Sequence, residues 1–185
     1  MIDKDIIYLN LLFVEALKKG KIMRFPLYGL SMYPTLREGD ILKIKPISYQ
    51  EARIGDILAS YNFESRKILV HRLVKKIKNN KSDFMLTMAE AVPPLYYDLP
   101  INPNNCIIAK VIAIERGKQL INLETKWAHF CSRIRACFLV NLPFIIKIHK
   151  VSIKAIETPH LIPKRLIQIF KKIIDSFYKI RPIIL

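Results

Sequence analysis

The chain has few of the residues from which disulfide frameworks and zinc sites are built. Its 185 residues include only three cysteines, Cys106, Cys131 and Cys137. They form no Cys-x-x-Cys pair and have no histidines at metal-ligand spacing, which argues against both kinds of site. The sequence therefore predicts a protein that needs neither a metal nor a cofactor.

Long apolar runs are also absent. A transmembrane helix needs about 20 predominantly apolar residues. The longest uncharged apolar stretch covers residues 136–146, and it contains Asn141 and Pro143. The shorter run at 6–14 follows a charged opening that lacks the basic region and cleavage site of a secretory signal. We therefore expect no membrane-spanning segment.

Acidic residues are scarce relative to basic ones. The chain has 15 Asp and Glu against 31 Lys and Arg, a formal net charge of +16. Residues 1–120 carry 19 basic and 12 acidic side chains, whereas residues 121–185 carry 12 basic and only 3 acidic ones. This balance favours an anionic partner. Because the more basic part is also rich in Ile, Leu and Phe, an anionic membrane surface is the predicted partner.

The spacing of apolar residues indicates one helix followed by strands. Residues 4–19 have the period of an amphipathic helix that Gly20 ends. From Met23, short runs rich in Ile, Val, Leu and Tyr alternate with turn-forming clusters. Helix-length patterns between these runs are absent, so we predict a mainly β, antiparallel sheet or barrel-like domain. The clearest predicted strands are 41–47, 56–61, 67–77, 83–88 and 105–116.

The helical period returns after Gly117, over residues 124–140 and 163–180. Apolar side chains there recur at three- and four-residue intervals with Lys and Arg between them. Such helices either pack on other elements or lie in an anionic membrane interface. The predicted organisation is an N-terminal helix, a β domain and a basic helical extension, at 1–22, 23–120 and 121–185.

A serine lies in the densest local motif, GLSMYPTLREGDIL at 29–42. Ser31 follows Gly29 by two residues and precedes Pro34 by three, ahead of a predicted strand. A serine hydroxyl needs a base within hydrogen-bond reach to become a useful nucleophile. Of the four histidines, only His71 falls in a predicted strand. Because a lone strand histidine is more often an ordinary core or surface residue, periodicity alone leaves this pairing open.

Several motifs in order resemble those of the signal peptidase superfamily of serine endopeptidases. SMYPTL at 31–36 is followed by GDIL at 39–42, GDILAS at 55–60 and VHR at 70–72. Together they are most similar to the branch in which a histidine replaces the usual lysine base. The resemblance covers roughly residues 23–118, and it implies a signal-peptidase-type β domain.

The resemblance implies a peptidase with a Ser-His mechanism. Ser31 attacks the scissile carbonyl, and His71 accepts its proton and passes it to the leaving amine. The implied substrates are secretory or exported preproteins cleaved after small residues, usually Ala-x-Ala. Leu30 and Met32 are expected to shape the shallow substrate pocket, although Met32 also suits the core. The backbone N–H groups of Ser31 and Gly29 are the candidate oxyanion donors.

The chain departs from the family pattern at two places. Relatives have Gly-Asp after the histidine strand, where this chain has Ala89 and Glu90, and Asp98 corresponds to their second acid. Either Glu90 or Asp98 can therefore orient His71, and the sequence does not choose between them. The hydroxyl residue that many relatives place just before the nucleophile is also missing. Losing one oxyanion donor typically lowers turnover by ~10²–10³.

Two other functions fit parts of the sequence. A degenerate peptidase domain could bind a membrane or nucleic acid through the basic run at Lys75, Lys76, Lys78 and Lys81. Such runs are more often solvated strand edges, and without interleaved aromatics nucleic acid is not expected as a partner. A self-cleaving repressor-type peptidase uses a lysine base and a preceding DNA-binding module. Residues 1–22 are too few for that module.

Overall fold

The computed structural model describes residues 4–63, 67–78, 82–91, 97–103 and 105–156. The chain divides into two compact units, Met1–Leu139 and Val140–Leu185. The first unit contains the sheet, and the described part of the second is helical. The predicted helix at 163–180 lies outside the described residues, as does part of the proline-rich loop between 89 and 104.

Two helices and seven strands make up the described part of the chain, and the predicted strands are confirmed to within one residue at either end. The helices are α1 (Lys4–Lys18) and α2 (Lys126–Ile156). The strands are β1 (Met23–Pro26), β2 (Ile41–Pro46), β3 (Ile57–Asn62), β4 (Lys67–Ile77), β5 (Phe84–Met88), β6 (Cys106–Arg116) and β7 (Gln119–Asn122).

All described strand pairs are antiparallel, in the order β1-β2-β6-β3-β4-β5, and β7 pairs with β6. The predicted mainly β, antiparallel class is confirmed. Strand β7 was missed because it is a four-residue strand on a tight hairpin at Gly117, where φ is +58°. Within the described residues no pair joins β1 to β5, so backbone hydrogen bonds do not close the sheet into a barrel there.

The main hydrophobic core lies between α1 and the sheet. Phe13 of α1 is fully buried and meets Phe25 of β1 edge to ring, with 5.5 Å between ring centroids. A second cluster includes Leu58 of β3, whereas Ile57 and Ala59 belong to the first. Because side chains alternate across a strand, this division shows that β3 is buried on both faces. Strand β4, which pairs with β3, therefore lies beside a strand that is packed on both faces.

Helix α2 packs against the turn that precedes β3, and an added methyl group tests this contact. At Gly55 φ is +100°, and a Cβ would lie 2.8 Å from the backbone N of Arg133 and 2.8 Å from the carbonyl carbon of Ser132. Gly55→Ala therefore strains the turn and pushes the helix away. We expect it to lower the free energy of unfolding by about 2–4 kcal/mol, measured by urea denaturation.

Gly39→Ala is the matched control for this substitution. Its φ is +87°, but nothing lies within 4 Å of the added Cβ. It should therefore show only the backbone strain, about 1–2 kcal/mol. Equal losses at the two positions would mean that α2 does not press on Gly55.

Candidate active site

Ser31 lies on an exposed turn between β1 and β2. Gly29 precedes it with φ of +88°, a left-handed conformation that glycine adopts without steric cost. Just after it, the N–H of Tyr33 donates to the carbonyl of Leu30 at 3.0 Å, which tightens the turn. The glycine and the following hydrogen bond together present the serine hydroxyl on the outside of a compact turn.

Residues that follow β5 also hold this turn, through main-chain hydrogen bonds. The carbonyl of Ser31 accepts hydrogen bonds from two consecutive N–H groups, those of Glu90 at 2.7 Å and Ala91 at 2.9 Å. These bonds tie the main chain of Ser31 to the end of a neighbouring strand. The position of the hydroxyl therefore depends on the sheet as well as on the turn.

His71 lies within β4, which is flanked by β3 and β5. Its register partner on β3 is Leu58, and its side chain is mostly buried. The imidazole Nε2 lies 3.1 Å from Oγ of Ser31. The structure therefore brings together the predicted nucleophile and the predicted base, forty residues apart in the sequence.

Asp98 lies on the other side of the imidazole. Its Oδ2 is 2.7 Å from Nδ1 of His71 and also accepts a 2.7 Å hydrogen bond from the hydroxyl of Thr87. The N–H of Asp98 donates to the carbonyl of Thr87 at 3.0 Å. A carboxylate at Nδ1 favours the tautomer with the proton there, which leaves a lone pair on Nε2 facing the serine hydroxyl.

Thr87 was not predicted as a site residue. The available signal was a hydroxyl side chain at a buried position of the strand run DFMLTM. A buried hydroxyl usually has a hydrogen-bond partner, but the sequence does not say which one. Its partner, Asp98, is eleven residues away, beyond the end of the strand.

Glu90 belongs to a separate buried network. Its Oε1 accepts a hydrogen bond from Nε of Arg72 at 2.5 Å, and its Oε2 accepts one from the hydroxyl of Thr35. Arg72 is 1% exposed and also donates to the carbonyl of Gly55 at 2.6 Å. Among the described contacts, none joins Glu90 to His71.

The geometry of β4 explains why the two acids are separated. His71 and Arg72 are consecutive, and consecutive side chains of a strand point to opposite faces. Each therefore meets its own carboxylate, Asp98 for the imidazole and Glu90 for the guanidinium. Of the two acids between which the sequence left the choice open, the structure places Asp98 against the imidazole.

The two residues expected to shape the substrate pocket lie in different environments. Leu30 is 57% exposed beside Ser31, whereas Met32 is 1% exposed and belongs to the main core cluster. Met32 therefore has the core position that its sequence context also allowed. Only Leu30 is available at the surface to contact a substrate.

The two predicted oxyanion donors, the N–H groups of Ser31 and Gly29, belong to exposed residues of the turn. The N–H of Ser31 donates to no acceptor among the described residues. A Cβ added at Gly29 would meet nothing within 4 Å, so no described atom covers that side of the glycine. The N–H of Ser31 remains the predicted donor to a developing oxyanion.

Both Gly-Asp motifs of the sequence serve the fold. Asp40 accepts two hydrogen bonds from the guanidinium of Arg116, at 2.8 and 2.7 Å, which raise the pKa of that guanidinium. Arg116 also donates to the carbonyl of Thr35 at 3.0 Å and so supports the serine turn. The second aspartate, Asp56, forms an ion pair with Lys110 at 3.2 Å.

We compared the chain with protein-family models, curated proteins and solved structures. None matches it. The resemblance to signal peptidases therefore rests on the motifs themselves, and the arrangement of Ser31, His71 and Asp98 stands on its own geometry.

In the described ranges no cluster of His, Cys, Asp or Glu is arranged to hold a metal ion. No helix in those ranges has the length and apolarity that a bilayer crossing requires.

Part of the basic run at residues 75–81, considered above for nucleic-acid or membrane binding, makes contacts within the fold. The ammonium group of Lys76 donates to the carbonyls of Tyr49 at 2.6 Å and Ala52 at 2.9 Å, and it lies 4.2 Å from the centroid of the Tyr49 ring. Lys75 and Lys78 are exposed, and Lys81 lies outside the described residues. Of the described lysines in this run, Lys75 and Lys78 are therefore the exposed ones, and Lys76 is held by main-chain carbonyls.

Proposed function

We propose that this protein is a serine endopeptidase of the signal-peptidase type. One observation supports this most strongly: a single imidazole bridges a serine hydroxyl and a carboxylate, with Ser31 at Nε2 and Asp98 at Nδ1. Such an arrangement is recognised by its geometry and by the roles of its members rather than by the fold that carries it. The ordered motifs around Ser31 and His71 favour this family among serine hydrolases.

The proposed reaction is acyl transfer followed by hydrolysis. Oγ of Ser31 attacks the scissile carbonyl while Nε2 of His71 takes its proton, and the carboxylate of Asp98 stabilises the resulting imidazolium. The imidazolium then protonates the leaving amine as the C–N bond breaks. Water, deprotonated by the same nitrogen, attacks the acyl ester and releases Ser31. The N–H of Ser31 stabilises the oxyanion in both steps.

The surface next to these residues suits an extended apolar peptide. Tyr28 and Leu30 are exposed just before the nucleophile, and Tyr97 and Leu99 are exposed on either side of Asp98. Exposed apolar side chains next to reactive groups are typical of substrate-binding surfaces. Together with the family resemblance, they favour preproteins cleaved after small residues as the substrate class.

The direct test is cleavage of a preprotein that carries an Ala-x-Ala site. The full chain, in detergent or with liposomes, is expected to cut after the second alanine, and sequencing the new N-terminus locates the cut. The same preprotein with arginine in place of that alanine serves as the control and should remain uncut. Cleavage of both preproteins at equal rates would contradict the proposed specificity. Cleavage of neither would contradict the proposed activity.

We also propose that the protein associates peripherally with anionic membranes through α2. This helix contains no acidic residue along its 31 positions. Lys126, Trp127, Phe130 and Ile134 recur at helical spacing, and Trp127 and Phe130 are stacked and exposed by 67% and 55%. Aromatic side chains edged by basic ones suit the headgroup region of an anionic bilayer.

Replacing both aromatic residues tests this association. The double variant Trp127→Ser/Phe130→Ser should partition into anionic vesicles on the order of tenfold less than the unchanged chain, because it loses the apolar area that would enter the bilayer. Flotation of the full chain with phosphatidylserine vesicles measures the difference. Leu120→Ser, at another exposed apolar position, is the control and should float normally. Undiminished flotation of the double variant would exclude this face.

A further inference from the structure

Thr35 is the point at which the serine turn meets the buried network. It lies four residues after Ser31 in the same turn and is 3% exposed. Its hydroxyl donates to Oε2 of Glu90 and accepts a hydrogen bond from Nη1 of Arg135 on α2. A hydroxyl has a single proton to donate, so its bond to Glu90 leaves a lone pair for Arg135. The directions of both bonds are thereby determined.

The other end of this network is next to the histidine. Glu90 pairs with Arg72, the residue that follows His71 on β4. An uninterrupted chain of hydrogen bonds therefore runs from Arg135 through Thr35 and Glu90 to Arg72. It joins the nucleophile turn, the strand of the base and helix α2.

Helix α2 packs closely on the turn before β3, where this chain of hydrogen bonds ends. Gly55 accepts a hydrogen bond from Arg72 and lies directly under the backbone of Ser132 and Arg133. Ala136 and Leu139, on the same side of the helix as Arg135, are buried. The guanidinium of Arg135 therefore reaches Thr35 from the packed face of the helix, on the buried side of the serine turn.

We infer that Arg135 is a positioning residue for the Ser31–His71 pair. Helix α2 thereby contributes a residue that fixes the geometry of the active site. Arginine remains protonated at all physiological pH values and its planar group donates in fixed directions, so it can hold Thr35 in one orientation. Thr35 in turn sets the distance between the turn and β4. This inference rests on the proposed peptidase function.

The test uses the full chain with a soluble peptide that contains the cleavage site. Arg135→Met keeps most of the apolar stem and removes the donors. We expect kcat to fall about tenfold, since a displacement near 1 Å costs on the order of 10²-fold and the packed helix limits the shift. KM should stay within about twofold of the unchanged value, because Arg135 donates to the buried hydroxyl of Thr35, away from the exposed residues next to Ser31. Arg135→Lys should recover part of the loss.

Two further comparisons separate positioning from general stability. Arg133→Met removes an equal charge from an exposed position of the same helix and should leave kcat unchanged. Thr35→Val should resemble Arg135→Met, and the double variant should lose little more than the worse single one, since both break the same chain of bonds. Full additivity, or an equal kcat for the Arg133 and Arg135 variants per folded molecule, would overturn the inference.

A second readout keeps the inference testable if no peptide is cleaved. In a Ser31→Cys variant, alkylation at position 31 reports how well His71 activates the thiol, and peptide mass mapping distinguishes it from the native cysteines. Adding Arg135→Met should slow this alkylation several-fold, whereas adding Arg133→Met should not. Absence of peptide cleavage with this difference present would reject the proposed function alone. Equal alkylation rates would reject the role of Arg135.

Discussion

Replacing Ser31 with alanine is expected to lower turnover of an Ala-x-Ala preprotein by about 10⁴-fold or more. The substitution removes the atom that forms the acyl-enzyme, and no other described hydroxyl lies within hydrogen-bond distance of the His71 Nε2. His71→Ala should have an effect of similar size, because the serine hydroxyl then has no base. Product formation at saturating substrate measures both variants.

The combination of the two substitutions gives a sharper test than either one alone. Residues that act as one unit are non-additive, so the double variant should be about as inactive as the single ones. Ser48→Ala and His129→Ala are the matched controls, since these residues pair elsewhere, with Glu51 and Asp56 respectively. Processing that continues in Ser31→Ala would refute the proposed mechanism.

Replacing Asp98 with asparagine is expected to lower kcat by about 10²–10⁴-fold while leaving the fold intact. The amide has the size of the carboxylate, and the Thr87 hydroxyl that donates to Oδ2 can instead accept from the amide nitrogen. Its NH₂ group, however, can donate to Nδ1 of His71, and the imidazole proton then moves to Nε2. The nitrogen that faces Ser31 thereby loses the lone pair that general-base catalysis needs. Single-turnover kinetics and chemical denaturation of the same preparation measure the two effects.

Glu90→Gln is the matched comparison, because it is the same chemical change at the other acid. It removes the negative charge beside the buried guanidinium of Arg72. Leaving a buried charge unpaired is costly, and we expect a loss of about 3 kcal/mol in the free energy of unfolding. The expected fall in kcat is only about tenfold, since Glu90 acts through the serine turn. The opposite pattern, with the larger kinetic loss at Glu90, would transfer the orienting role to that residue.

Local sequence patterns were sufficient for five of the seven described strands and for α1. The runs that became β2, β3, β4, β5 and β6 combine β-branched residues with turn residues at both ends, and these signals act over a few neighbouring positions. The prediction for the second helix was less complete. The period at 124–140 located its beginning, but α2 continues to Ile156 and includes Pro143.

The serine turn shows the same division between local and tertiary information. Gly29 and Pro34 mark a turn from composition alone, and the ordered motifs then single out Ser31 and His71 as partners. The choice between Glu90 and Asp98 could not be made in this way, because both residues lie beyond β5 and their side chains contact residues that are distant in the sequence. Thr35, Arg72 and Arg135 were missed for the same reason.

The sequence by itself determined the antiparallel strands, the turn that presents Ser31 and the strand that carries His71, since each depends on residues close together in the chain. The tertiary structure decided which carboxylate meets the imidazole and which meets the guanidinium. That outcome depends on side chains alternating across β4 and on the placement of Asp98 and Glu90, both beyond β5, against the imidazole and the guanidinium respectively. It also decided that α2 reaches the serine turn through Arg135. A hydrogen bond across one hundred residues leaves no local pattern, because only packing sets its geometry.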